Sequence, residues 1–93
     1  MKHSLLSRAE LEISQAALWY QIHSPGTGER FLRAFEAALA DIIASPTRYA
    51  FFPGADDAGV RYRQLNGFPY VILYKVAFGE IIVTSVTHAA RLK

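Results

Sequence analysis

Five side chains in the last third of this 93-residue sequence could take part in phosphoryl chemistry: Arg61, Arg63, Lys75, His88 and Arg91. Arginines can hold a scissile phosphate and stabilise the charge of its transition state, while a histidine carries the proton. Tyr70 and Tyr74, next to them in sequence, could stack on bases. The competing account is plainer: a surface cation set, a histidine at a strand end and two tyrosines in a core stripe. The residue types alone favour that account. Other chemistries find little footing. Cysteine is absent, so neither a disulfide framework nor a thiolate zinc site can form. His3, His23 and His88 have no metal-ligand spacing, and no metal or other cofactor is expected. Gly26 and Gly28 are not followed by the Lys-Ser/Thr pair of a phosphate-binding loop. Ser85 lies inside a strand-like run and not at a nucleophile elbow.

Charge sharpens the contrast between the two parts of the chain. Residues 1–58 carry five basic and seven acidic side chains, whereas residues 59–93 carry five basic ones against Glu80 alone. A basic C-terminal third suits nucleic acid, an acidic protein surface or an acidic partner segment. Arg and Lys also keep the edges of a small sheet soluble, and charge alone favours this simpler reading. With 52% hydrophobic and 19% charged residues the chain is not intrinsically disordered. Its length suits a single domain, 1–93. The longest apolar runs fall far short of the roughly 20 residues that span a bilayer. The opening Met1-Lys2-His3-Ser4-Leu5-Leu6 lacks the apolar stretch of a signal peptide, which argues for a cytoplasmic protein.

The elements that must position these side chains follow from periodicity. Lys2 to Leu6 suits a short edge strand, and Ser7-Arg8-Ala9-Glu10 reads as a capping box opening a helix that runs to about His23. Ala9, Ile13, Ala16, Ala17 and Tyr20 form one apolar face of that helix; Leu11, Leu18 and Ile22 form a second, with Trp19 on the flank. A helix apolar on two sides is sandwiched in its own fold or waits for a partner. Ser24 to Gly28 breaks the chain, and a second helix is expected over about Thr27 to Ala44. Phe31, Phe35, Ala38, Leu39 and Ile42 form its stripe, extended by Leu32 and Ile43, and Pro46 ends it. So short a connection makes the helices an antiparallel hairpin.

From Thr47 to Ala58 the chain reads as a loop in which Tyr49, Phe51 and Phe52 plug the end of the core. Three strands follow, near 60–65, 68–76 and 80–88, rich in Val, Ile, Tyr and Thr. Asn66-Gly67 is expected to form a two-residue turn that sets Leu65 opposite Phe68, Arg63 opposite Tyr70 and Arg61 opposite Ile72. One sheet face then shows Arg61, Arg63, Tyr70, Ile72 and Tyr74, the other Val60, Tyr62, Val71, Leu73 and Lys75. Both faces of the middle strand are apolar, so both need cover. The helices supply one cover, with Phe35, Leu39 and Ile42 packed on Val71 or Ile72 as the central contact. The loop or another chain supplies the other. The fold class is α+β: an antiparallel helix hairpin on a twisted antiparallel sheet of three to four strands.

The order of landmarks carries a resemblance. It runs Ala9-x-x-x-Ile13, Trp19-Tyr20, Gly28-Glu29-Arg30-Phe31-Leu32, Phe35-Glu36-Ala37-Ala38-Leu39 and Pro46-x-Arg48-Tyr49. It continues with Val60-Arg61, Phe68-Pro69-Tyr70, Ile72-x-Tyr74-x-Val76, Ile82-Val83 and Val86-x-His88-x-x-Arg91. This set, covering nearly the whole chain, resembles the RelE/ParE superfamily of toxins from bacterial type II toxin–antitoxin modules. The resemblance implies a toxin neutralised by a cognate antitoxin in a heterotetramer or larger complex. RelE-like members bind the ribosome and cut messenger RNA with a cluster of basic residues; ParE-like members poison DNA gyrase and lack that cluster. Nucleases of the first branch usually carry an arginine on the strand matching Phe68 to Val76, which here has none, and several use a tyrosine near the C-terminus. Here the chain runs only two residues past Arg91, without a tyrosine. The Phe-Pro-Tyr and His-x-x-Arg signatures resemble the ParE branch, which needs no catalytic residue. The alternative is a metal-independent, ribosome-dependent endoribonuclease using Arg61, Arg63, His88 and Arg91. In either case the antitoxin is expected on Leu11, Leu18, Ile22, Arg61, Arg63, Tyr70, Tyr74 and Arg91, in a groove between the spare helix stripe and the open sheet face.

Overall fold

The computed structural model describes residues 1–55 and 57–92; Asp56 and Lys93, both counted in the charge balance above, lie outside the described residues. The elements are β1 (Lys2–Leu5), α1 (Ser7–His23), α2 (Thr27–Ala44), β2 (Arg61–Gln64), β3 (Tyr70–Ala77) and β4 (Glu80–His88), followed by a 3-10 turn over Ala89–Leu92. The helix hairpin and the antiparallel β2–β3–β4 meander stand where periodicity places them. β1 departs from the all-antiparallel expectation, lying parallel to β4 in a four-stranded mixed sheet ordered β1-β4-β3-β2. It reaches the sheet only through the two helices, so no hairpin turn imposes an antiparallel direction on it.

The capping box is not formed. Leu6 is the N-cap of α1 and no side chain caps it, because its amide still belongs to the sheet and donates to the Val83 carbonyl at 3.0 Å. The Glu10 amide then donates to the Leu6 carbonyl at 3.1 Å, so the helix starts one residue earlier than a Ser7 cap allows. Between the helices Gly28 is buried, and a Cβ there would lie 2.6 Å from the Ala17 carbonyl oxygen. The missing side chain is what lets α2 approach α1 so closely.

Ala9, Ile13 and Ala16 of α1 and Phe31, Phe35, Ala38 and Ile42 of α2 press onto Leu65, Ile72, Tyr74, Ile81, Val83 and Val86. The helices therefore cover the Ile72 face of the sheet, and Val71, the other candidate for the central contact, points the opposite way. At one end Tyr20, Phe31, Phe68 and Tyr70 form an aromatic cluster with ring centroids 5.0–6.2 Å apart, edge-on except for the stacked Tyr20–Phe31 pair. The pairing of β2 with β3 is two residues off the expected register: Arg61 faces Tyr74 and Arg63 faces Ile72. Pro69 explains the slip, since it has no amide hydrogen for the ladder, and Asn66 to Pro69 becomes a four-residue loop. A shift of two leaves every side chain on its expected face.

Candidate functional site

The short strand β2 carries Arg61 and Arg63 on the helix-covered face. Its outer edge is occupied by the preceding loop: the Phe52 amide donates to the Val60 carbonyl at 2.7 Å and the Tyr62 amide to Ala50 at 3.1 Å. This return brings carbonyls of the loop under the arginines. The Arg61 guanidinium donates to the carbonyls of Tyr49 at 2.6 Å and Thr47 at 3.2 Å, and lies 3.9 Å from the centroid of the Phe51 ring. That stacking explains why Phe51 is no core plug: it bridges to Arg61 on the strand edge and stays 54% exposed. Tyr49 does pack against the core, and Phe52 meets Tyr62 edge-on at 5.6 Å.

Arg63 is held differently. It pairs with Asp41 in the last turn of α2 at 2.9 Å, donates to the Gln64 carbonyl and sits 5.7 Å over the Tyr49 ring. The Asp41 hydrogen bond keeps the guanidinium protonated even above its ordinary range, outweighing partial burial. Tyr74, fully buried beneath the helices, donates its hydroxyl to the Pro46 carbonyl at 2.8 Å. Burial pushes that phenol above its ordinary value. Arg61, Arg63 and Tyr74 thus converge on the segment after α2 and pin it to the sheet.

His88 stands apart from them. It pairs with Tyr70 at the start of β3, and strand spacing puts it about 12 Å from Arg63 between Cα atoms. Its Nδ1 accepts from the Ala90 amide at 3.0 Å, which places the proton of the neutral ring on Nε2. The ring meets Tyr70 edge-on at 5.3 Å, and Tyr20 beside them has its phenol pushed up by burial and by Tyr70. Arg91 is exposed in the closing turn. The nuclease residues expected from sequence are thus held by separate partners: two arginines are tied to carbonyls and a carboxylate, and the histidine stands two strands away on β4.

The expected antitoxin residues also separate. Tyr74 has no exposed surface and Tyr70 is half-buried in the aromatic cluster, so the face they share belongs to the helices. Leu11, Leu18 and Ile22 do lie open on α1, at 58–69% exposure, with Trp19 stacked on His23 beside them. Between the helices Ala17, Leu18, Gln21, Gly28, Glu29 and Leu32 line a groove of about 330 Å³. The opposite sheet face cannot join this groove, because the sheet itself stands between them. The loop partly covers that face: Asp57 pairs with Lys75 at 2.8 Å, and Phe52, Val60, Leu73 and Thr84 help line a second cavity of about 290 Å³.

Two features were not anticipated. In β4 a bulge leaves Thr84 outside the pairing with β3, and Glu12 of α1 accepts from the Ser85 hydroxyl at 2.8 Å and the Val86 amide at 3.0 Å. A carboxylate amid the apolar positions of a helix is the sequence signal for such a partner. Asp41, the anchor of Arg63, carries no local signal at all, since the pairing spans 22 residues.

No protein-family model matches the sequence, and no curated protein does. Among solved structures, a chain of the chromosomal ParDE TA system from P. aeruginosa superposes with a TM-score of 0.82, covering 95% of each chain at 16% identity. The fold is ParE-like. Two helices on a four-stranded mixed sheet are thus a known arrangement. Among the described residues no helix is long and apolar enough to cross a membrane.

Proposed function

We propose that this chain is the toxin of a type II toxin–antitoxin module, that it acts in the cytoplasm by inhibiting DNA gyrase, and that a cognate antitoxin neutralises it in a heterotetramer or larger complex. The observation that carries the reading is the internal engagement of Arg61 and Arg63. Arg61 is anchored to the Thr47 and Tyr49 carbonyls and Arg63 to Gln64 and Asp41, so two of the five donors of each guanidinium already hold the fold together. The ribonuclease alternative would need Arg61 and Arg63 to leave these partners and meet His88 across about 12 Å or more between Cα atoms. A ParE-like toxin needs no such cluster: binding to gyrase and trapping its cleaved-DNA state are enough. The antitoxin docks on the open stripe Leu11, Leu18 and Ile22, with Leu32 across the groove and Arg91 available to acidic residues of its tail.

The test runs two assays on one preparation: supercoiling by purified gyrase and cleavage of messenger RNA on purified ribosomes, each with and without the antitoxin. Inhibition of supercoiling, relieved by the antitoxin, with intact RNA is the expected result. Cleavage of ribosome-bound RNA that Arg61→Ala abolishes without unfolding, beside unimpaired gyrase, would sink the proposal.

A further inference from the structure

The β3–β4 hairpin closes on Phe78 and Gly79, with Ala77 and Glu80 paired beneath them. Both turn residues have positive φ, +55° for Phe78 and +70° for Gly79, the backbone of a tight turn that asparagine, aspartate or glycine enters without strain. A phenylalanine in that conformation is an outlier, and this one is also fully exposed, at 103%. Position 78 therefore disfavours the isolated chain twice, through backbone strain and through a bare apolar ring. Strain kept at an exposed tip points to a role outside the fold. Met1 is exposed at the same end of the sheet, since β1 begins with Lys2 opposite Glu80.

We infer that Phe78 is the anchor with which the chain grips its protein target, inserting the phenyl ring into an apolar pocket on that protein with Met1 at the rim. The inference rests on the reading of the chain as a gyrase-directed toxin and assigns the contact that this reading leaves open. An aromatic knob suits a protein pocket, because buried aromatics supply most of the binding energy where they are fully desolvated. Nucleic acid is the poorer fit: Lys2 faces Glu80 across the ladder, and β1, β3 and β4 carry no arginine to hold phosphates. The anchor is also separate from the antitoxin stripe. Tyr20 of α1 packs on Phe68 and Tyr70 at the other end of β3, which carries Leu18 and Ile22 away from the hairpin tip.

The experiment compares the wild-type chain with Phe78→Asn, a change that suits the turn and keeps the fold testable. Urea unfolding, inhibition of purified gyrase and sedimentation are measured for both. The variant is expected to unfold at the same or higher urea concentration and to need at least tenfold more protein for equal inhibition. Equal inhibition overturns the anchor and leaves the gyrase reading standing, whereas a wild-type chain without effect on gyrase overturns both. Lost inhibition accompanied by lost stability assigns Phe78 to the fold and overturns the inference. Concentration-dependent association that disappears in Phe78→Asn places the ring in a second copy, head to tail, and overturns it as well.

Discussion

Replacing Arg61 by alanine separates a structural arginine from a catalytic one. In this fold the guanidinium ties a strand to the segment that follows α2, and its removal leaves the half-buried Tyr49 carbonyl without its 2.6 Å donor. A hydrogen bond to a charged group is worth about 1.5 kcal/mol or more, the exposed Thr47 bond contributes less, and the stack on Phe51 adds about 0.5 kcal/mol. Together these put the loss near 2 kcal/mol. A small domain has a urea m-value of about 1 kcal/mol per molar, so the unfolding midpoint should fall by about 2 M with little change in slope. Arg61→Lys should recover only part of this, because an ammonium cannot hold two carbonyls and a ring face in one plane. Growth arrest on induction should persist with Arg61→Ala at temperatures where the variant remains folded. An unchanged midpoint together with complete loss of toxicity would refute the reasoning and return Arg61 to a catalytic role.

Gly28→Ala should destabilise the chain by about 1–3 kcal/mol, since its Cβ would stand 2.6 Å from a backbone oxygen of α1; denaturant unfolding that matches the wild type would show the helices free to part. The Asp57 carboxyl is held below its ordinary 3.8 by hydrogen bonds from Lys75 and then Gly59. A depressed carboxyl contributes stability above its unfolded value and loses it as the pH falls through the folded one. The stability gap between wild type and Lys75→Met should therefore close as the pH drops below 3.8, and a gap independent of pH would contradict the ion pair.

Much of this architecture is legible because its causes are local. The spacing of Ala9, Ile13 and Ala16, and of Phe31, Phe35, Ala38 and Ile42, marks the two buried helix faces, and the open Leu11–Leu18–Ile22 stripe is visible for the same reason. Strand parity puts Arg61 and Arg63 on one face with Tyr74 and Ile72 even though the Asn66-Gly67 turn is two residues shorter than the loop that forms. What escaped was decided by distant partners. Which face the helices take depends on the sum of Ile72, Ile81, Val83 and Val86 against Val71 and Leu73, and no single window of sequence contains that comparison. The role of the arginines depends on where the Thr47 and Tyr49 carbonyls arrive, which the chain settles only after the loop has folded back along β2. Glu12 illustrates the same limit, since its partners lie more than 70 residues away. Phe78 carries no sequence signal of its own, since its exposure and its φ of +55° belong to the folded hairpin.

The central claim, a toxin that acts on gyrase through binding and not through a nuclease cluster, is tested most directly by looking for the trapped cleavage state. Purified chain is incubated with gyrase, ATP and supercoiled plasmid, the reaction is stopped with detergent and protease, and linear DNA is quantified. Linear plasmid should accumulate with toxin concentration and disappear when excess antitoxin is added beforehand. Plasmid that is supercoiled normally and never linearised, at toxin concentrations that arrest growth or cut ribosome-bound RNA, would contradict the account.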